Sequence, residues 1–335
     1  MKNAISLIML VVLMVAAVPA FSAQNPATKA VLITGASTGI GRHAAEQLAA
    51  AGYFVYAGAR KAHDIEELNK IENIMAIRLD VTIQSEIDAA VKLIQAEGRG
   101  LWGLVNNAGI NFIEPLIEAD ESQLEFLFDV NVYGVFRVTK AFAPMIIESK
   151  GRIVNISSIA GILSGGLPGY GMYVMSKHAI EAFTDQLSFE LTQFDVKVIA
   201  IEPGNFSTDI GKSRCKRMLA QNEDKKYRYY AEVMQGYLES CKKLAESDNS
   251  SAAPPPKLVS NAIQQALFDE QPKEHYLVVS NQFEAMITIG KAMEELLNLN
   301  NNHAFSYTRE QLISIMDEEW AILKGEKTRN WGDGD

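Results

Sequence analysis

Between Ala30 and Ile201, short apolar runs alternate with segments of helical periodicity, and no other feature constrains the fold as much. The runs are Ala30–Thr34, Phe54–Ala59, Ile74–Leu79, Gly103–Asn106, Arg152–Ile156 and Val196–Ile201. Each is short and largely apolar on both faces, the pattern of a strand buried in a parallel sheet. Between them, Ile40–Ala51, Ser85–Glu97, residues 122–148 and Tyr173–Phe194 place apolar side chains at helical spacing. Strand and helix in repeated succession predict an α/β fold, a Rossmann-type doubly wound parallel sheet. Right-handed crossovers then bring the strand C-termini to one edge, where ligands bind.

After Pro203 the pattern changes. Residues 207–248 are polar and helical, with Lys and Arg clustered between Lys212 and Arg228. A loop, Asn249–Pro256, is followed by a helix, Lys257–Phe268, and a last strand, His275–Val279. Residues 281–335 read as a helical tail, for packing or oligomer formation. The expected plan is one catalytic domain, 28–280, with 207–256 as a substrate-loop insertion. At the N-terminus Lys2 precedes an apolar run, Ala4–Val18, and the small-residue sequence Val18-Pro19-Ala20. The run is shorter than the roughly 20 apolar residues of a spanning helix. Residues 1–23 therefore read as a signal peptide, with an uncleaved membrane anchor as the second reading.

The turn after the first run is Thr34-Gly35-Ala36-Ser37-Thr38-Gly39-Ile40-Gly41. Glycine lets a backbone turn sharply and approach a pyrophosphate, and the helix N-terminus beyond it offers free N–H groups and a favourable dipole. The end of the second run normally carries an acidic residue that binds the ribose hydroxyls of NAD. Here it reads Tyr56-Ala57-Gly58-Ala59-Arg60-Lys61. The Arg60 fork suits a 2′-phosphate, so NADP(H) is the expected cofactor and NAD(H) the second choice. Tyr173 and Lys177 stand four residues apart, on one face of a helix. A free phenol has a pKa of about 10, and a nearby ammonium favours the phenolate. The pair suits proton transfer to or from an oxygen while hydride moves.

A net charge of −10 argues against a nucleic-acid partner. Five scattered histidines indicate no metal site. Cys215 and Cys241 read as two ordinary thiols, with a disulfide as the alternative if the domain is exported.

In this order the motifs resemble the short-chain dehydrogenase/reductase family. The matching pieces are Thr34–Gly41, Asp80-Val81, Asn106-Asn107-Ala108-Gly109, Asn131, Ser157-Ser158, Tyr173-x-x-x-Lys177, and Pro203-Gly204 with Thr208. A narrower likeness, to the hydroxysteroid and retinol dehydrogenase branch, rests on Val55–Arg60 and Ile201–Gly204. The resemblance implies Tyr173 as general acid in reduction and base in oxidation, with Lys177 also on the nicotinamide ribose. It implies Ser158 on the substrate oxygen and Asn131 holding a water of a proton relay. Asp80 and Val81 would meet the adenine, Asn107, Ala108 and Gly109 would line the cofactor, and Thr208, after Pro203 and Gly204, would hold the carboxamide. Thr34, Gly35, Ser37, Thr38, Gly39, Ile40 and Gly41 form the phosphate turn. Ser158 and Tyr173 are fifteen residues apart, longer than the family spacing, because Ser164–Gly169 is inserted. This leaves Ser157 as a minor candidate.

Phe112, Leu163, Leu167, Met172 and Phe206 suggest a lipophilic alcohol or carbonyl substrate, although each also suits a core. The 207–248 segment is expected to close over the substrate, its basic cluster forming a solvated face. A homo-oligomer is a family-level expectation. NADP(H) is an intracellular pool, so a leader conflicts with it. The protein would be anchored facing the cytosol, delivered to a lumen, or would retain its cofactor. The competing class is a redox-silent NADP(H) sensor, which needs no proton relay; a third option is an epimerase or dehydratase using the cofactor internally.

Overall fold

The computed structural model describes residues 29–166, 168–221, 225–246, 253–301 and 303–328. Residues 1–23, expected as a leader, lie outside them, as does Leu167. Seven parallel strands form one sheet in the order β3-β2-β1-β4-β5-β6-β7. They are β1 (Ala30–Ile33), β2 (Phe54–Ala59), β3 (Ile74–Arg78), β4 (Gly103–Asn106), β5 (Arg152–Ile156), β6 (Lys197–Pro203) and β7 (His275–Val278). The order reverses between β1 and β4, which opens a crevice at their C-terminal ends.

Alternation along each strand divides the core. Val31 and Ile33 face α1 (Gly39–Ala50) and α9 (Lys257–Phe268), in a cluster with Leu48, Val105, Val154, Ile199 and Ile263. Ala30 and Leu32 face the other way, in a cluster with Ile87 and Ile94 of α3 (Gln84–Glu97) and Phe142 and Ile146 of α5 (Gly134–Ser149). Burying both faces is what made the strands legible as apolar runs. The short α2 (Ala62–Leu68) left no such signal, because only Leu68 on it is buried.

The helix expected over 122–148 is in two pieces. α4 (Glu121–Phe128) passes through a π turn, Asp129–Tyr133, into α5. A π turn adds one residue without breaking the helix, so the apolar pattern runs through it unmarked. α6 (Gly171–Leu191) carries Tyr173 and Lys177.

The 207–256 segment is a helical hairpin, α7 (Asp209–Gln221) and α8 (Ala231–Glu246). Cys215, Met218, Met234 and Cys241 are buried between the helices with Ile113 of the body. Cys215 and Cys241 form a disulfide, contrary to the reading as ordinary thiols. They are one hairpin apart and meet across a dry interface that the polar sequence around them concealed. The tail is α10 (Gln282–Asn300) and α11 (Arg309–Leu323). α10 is fixed by Glu284, which accepts hydrogen bonds from the N–H groups of Asn205 and Ser280, whereas α11 buries no residue. Among the described residues no helix is long and apolar enough to cross a membrane.

The disulfide closes a loop of 26 residues. In the chain-entropy account, closure of that length stabilises by about 3 kcal/mol. Replacing both cysteines by serine should therefore speed amide hydrogen exchange across α7 and α8 while leaving β1–β6 protected. Uniform exchange in both proteins would show that packing alone holds the hairpin.

Candidate active site

The glycine turn connects β1 to α1. Gly35 and Gly39 have φ of +63° and +58°, the left-handed region. A Cβ on Gly35 would lie 2.9 Å from Cα of Ala108, and one on Gly39 would lie 3.2 Å from Cβ of Thr208. Thr38 caps α1 without a side-chain hydrogen bond, and the first turn holds no acidic residue. The N-terminal N–H groups therefore have no side-chain acceptor, and the turn fits a pyrophosphate. Gly41 has a packing role instead, since a Cβ there would strike Gly35 O and the amide of Asn107. That amide donates to Thr34 O (2.8 Å) and Gly35 O (3.1 Å). The Thr34 hydroxyl in turn accepts from the N–H groups of Asn107 and Ala108, each at 3.0 Å. Ser37 and Ile40, on the same turn, are half-buried.

At the other side of the crevice α6 presents Tyr173 and Lys177. Lys177 is buried and its Nζ donates to Ile156 O at the end of β5 (2.8 Å). The Nζ lies 5.6 Å from the Tyr173 ring centre and 4.0 Å from where a Cβ on Gly109 would sit. Burial pulls the ammonium down to about 8, against the opposing charge of Glu181. Burial also pushes the Tyr173 phenol up to about 12, although a hydrogen bond with Ser158 and the charge of Arg214 both pull it down. The sequence predicted a phenol lowered by Lys177. Here the dense surroundings of the hydroxyl outweigh every nearby favourable charge.

Ser158, at the end of β5, is the serine beside Tyr173. Its hydroxyl also accepts from Ala160 N–H (3.1 Å). Ser157 is buried on the other side, against Glu181. The inserted glycines explain how the long spacing is absorbed. Gly165 and Gly166 have positive φ with nothing within 4 Å of a Cβ, so the extra residues bulge outward.

Asn131 sits in the π turn. Its Oδ1 accepts from Ile110 N–H (2.8 Å), and its Nδ2 donates to Ile110 O (2.9 Å) and the Ser176 hydroxyl (3.1 Å). Both Nδ2 hydrogens are used, so the side chain clamps the Asn107–Ile110 loop to α6, while Oδ1 keeps a second lone pair.

At the adenosine end Arg60 is exposed and lies 3.5 Å from Asp80. Burial disfavours the Asp80 charge, but the Thr82 N–H and hydroxyl and the Arg60 charge outweigh it and hold the carboxyl below the usual range. Val81 is buried against Gly134, where a Cβ would come within 2.6 Å of it, so its side chain belongs to the core. Pro203 ends β6. Gly204 N–H donates to Val278 O (2.8 Å), and Thr208 lies over Gly39 at the start of α7.

Several residues at the site escaped the sequence reading. The basic cluster is not a wholly solvated face. Lys225 pairs with the buried Glu114 and, at 3.0 Å, with Asp120. The Tyr227 hydroxyl donates to the same Glu114 (2.8 Å), and burial followed by that carboxylate raises its pKa. Arg214 and Arg217 of α7 turn toward the crevice, donating to the Tyr170 hydroxyl and to Asn111 O. Glu114 and Lys225 are 111 residues apart, which leaves no local pattern, and only the folded hairpin brings them together. Of the apolar candidates, Phe112, Met172 and Phe206 belong to the two cores, and Leu163 stays half-buried.

Behind Lys177, Glu181 and Glu202 converge on His275 of β7. His275 Nδ1 lies 2.8 Å from Glu202 and 3.6 Å from Glu181, and its Nε2 lies 3.0 Å from Asp185. The sequence reading of scattered histidines missed this group, whose three ligand-type atoms lie within 4.8 Å of one another, close enough to hold a metal ion. As an ion-pair cluster it is explained by His275 carrying a proton. The hydrogen bond that His275 donates to Glu202, and then the carboxylate charges, outweigh the cost of burial and raise it to about 9. Burial raises Glu181 to about 7.

A sheet of this order, with a glycine turn after its first strand and a Tyr-x-x-x-Lys helix across the crevice, defines a Rossmann-type protein of the nucleotide-cofactor class. The chain belongs to the short-chain dehydrogenase family, whose model, described as short chain dehydrogenase, matches residues 29–218. It is 36% identical to human retinol dehydrogenase 16 over 258 residues, 74% of this chain and 80% of that one. It is 37% identical to the mitochondrial D-beta-hydroxybutyrate dehydrogenase of Bos taurus over 197 residues, 56% of this chain and only 57% of that one. Among solved structures, a short-chain dehydrogenase from Streptomyces avermitilis matches with a TM-score of 0.63 and 26% identity, covering 89% of this chain and 98% of that one. A Burkholderia phymatum short-chain dehydrogenase/reductase in complex with NAD shares the fold, with a TM-score of 0.64 and 22% identity, over 84% of this chain and 98% of that one.

Both groups raised in the native state, Glu181 and His275, hold protons more tightly than in the unfolded chain, so both make stability fall as pH rises. The Glu181 contribution is lost between about 4.5 and 7, and that of His275 between about 6.5 and 9. Thermal unfolding followed across this range should show Glu181→Gln flattening the lower part of the decline and sparing the upper part. A parallel profile for the variant would show that Glu181 stays ionised.

Proposed function

We propose that the protein is an NADP(H)-dependent oxidoreductase that interconverts a primary or secondary alcohol and its aldehyde or ketone. The observation that carries this is the Tyr173 hydroxyl hydrogen-bonded to Ser158, one helical turn from the buried Lys177, across the crevice from a turn that fits a pyrophosphate. The cofactor, when bound, supplies or accepts the hydride. Thr34, Gly35, Ser37, Thr38, Gly39, Ile40 and Gly41 form the turn for its phosphates, with Ala108, Gly109, Pro203, Gly204 and Thr208 along its path. Lys177 takes the nicotinamide ribose. Ser158 donates to the substrate oxygen, and Tyr173 gives that oxygen a proton in reduction and takes it back in oxidation. A phenol held near 12 is protonated at neutral pH, which favours its role as the acid of carbonyl reduction. Asn131 acts as a positioning residue for the Ile110 loop.

NADP(H) preference rests on Arg60, which is exposed at the end of β2 where no carboxylate stands. The names of the two curated relatives each contain an alcohol, one apolar and one acidic. An apolar substrate body is supported by the half-buried Leu163. The disulfide favours an oxidising compartment, so of the routes open to a leader sequence, a lumen with its own NADP(H) or a retained cofactor fits best. The exposed Phe283, Met286 and Ile289 of α10 support association with a second copy.

Turnover of carbonyl compounds should be NADPH-dependent, and Tyr173→Phe should lower it by about 10²–10⁴ while NADPH binding is kept. Arg60→Ala should raise KM for NADPH by roughly tenfold or more and leave that for NADH unchanged, the loss of a charge-assisted pair. Unaltered turnover in Tyr173→Phe would remove the assigned mechanism. NADH preference in the native enzyme would overturn the role of Arg60 alone.

A further inference from the structure

We propose that Arg214 and Arg217 of α7 form a recognition site for an anionic group, a carboxylate or phosphate, on the carbonyl substrate itself. This rests on Tyr173 as the proton donor, and it makes the substrate an amphiphile with one charged end.

The two arginines are three residues apart on α7, so they share a face. Each is held against a different wall of the crevice. Arg214 Nη1 donates to the Tyr170 hydroxyl (3.2 Å), and its guanidinium lies 5.7 Å from that ring centre. Tyr170 caps the helix that presents Tyr173. Arg217 Nη2 donates to Asn111 O (3.2 Å), and its guanidinium lies 5.3 Å from the Phe112 ring centre. Asn111 follows the Asn107–Ile110 loop that Asn131 clamps. The cations thus bridge from the hairpin to both sides of the reaction site.

Among the described residues neither guanidinium has a carboxylate partner, whereas Lys225 on the same hairpin has two. The Nε atoms of both arginines are buried and carry no hydrogen bond. A guanidinium offers five donors, and leaving them unmet away from water costs free energy. Burial, and the like charges of Arg60 and Arg214, bear on Arg217. Two adjacent cations, half out of water and without an anion, are a costly arrangement that a planar anion accepting from both would relieve. Through Tyr170, which caps the helix carrying Tyr173, this end of the pair lies on the Tyr173 side of the crevice, and its charge reaches that phenol.

The same chemistry has a second source in the cofactor phosphates, and the test separates the two. The probes are linear 3-oxo acids of four to ten carbons and their methyl esters, reduced with NADPH. In the native enzyme kcat/KM for the best acid should exceed that of its ester by roughly tenfold to a hundredfold, the worth of a charge-assisted contact. Arg217→Met should erase that preference through KM, leaving ester reduction and KM for NADPH within about twofold, and Arg214→Met should cost the acid at least about tenfold more than the ester. Equal use of acid and ester by the native enzyme would overturn the proposal. So would a rise in KM for NADPH with both substrates, which would assign the arginines to the cofactor. Calorimetric titration of the acids and esters into NADPH-loaded Tyr173→Phe gives a readout free of turnover. Arginine-dependent binding of the acid there, without reduction by the native enzyme, would uphold the anion site and overturn the reaction. Reduction without acid preference would do the reverse.

Discussion

A parallel sheet stops pairing at the ends of its strands, and the crevice depends on how the buried polar groups there are satisfied. Backbone N–H and C=O groups that leave the ladder must find other partners or cost free energy. Asparagine side chains supply them at Thr34, Gly35 and Ile110, and deeper in they pair with one another and with threonines. Asn106 donates to Asn155 of the neighbouring strand and to Thr139 of α5, and Asn155 donates to Thr184 of α6. This chain of buried side chains joins two strand ends to two helices. Asn107 with Thr34 does the same between β4 and the glycine turn, and Asn131 does it between the Ile110 loop and α6. The proton-transferring group and the phosphate-fitting turn belong to distant stretches of sequence. Their separation in space is fixed by these amides.

The same edge holds its charged groups against solvation. Lys177 is buried with a carbonyl as its hydrogen-bond partner, and Glu181, one turn further along α6, both opposes its charge and belongs to the His275 cluster. Burial therefore lowers the lysine and raises the tyrosine and the glutamate, moving each toward its neutral form. Near neutral pH this brings the two forms of Lys177 and Glu181 close in free energy and takes Tyr173 further into its protonated form. The cost falls on stability, through the slope with pH that the cluster imposes.

Much of the architecture could be read from the chain because it rests on local periodicity. Buried strands such as Ile153–Ile156 and Val198–Ile201 are apolar on both faces, and the glycine turn, Ser158, Tyr173 and Lys177 each sit where a strand or helix meets the crevice. The family resemblance placed them in order, and the structure brings Ser158, Tyr173 and Lys177 together beside Gly109. What stayed hidden depends on contacts between distant segments. The disulfide needs the α7–α8 hairpin to be folded, the pairing of Lys225 with Glu114 crosses 111 residues, and the His275 cluster draws on α6, β6 and β7. The raised phenol was misjudged for a related reason. Helical spacing reveals that Lys177 is near, but not how densely the hydroxyl is enclosed.

The hairpin over the crevice is sealed along its length and tied at its base. Cys215 and Cys241 join its helices, and Ser207 N–H donates to Pro254 O (2.8 Å) where the chain enters and leaves it. Its far side is fastened to the body through Glu114, which holds Lys225 and Tyr227, and through Glu118, which accepts from the backbone of Tyr229 and Tyr230. The piece is thus held along one edge by its base and on the other by two carboxylates. Opening the crevice on that side would require those polar contacts, remote from the reacting atoms, to break first.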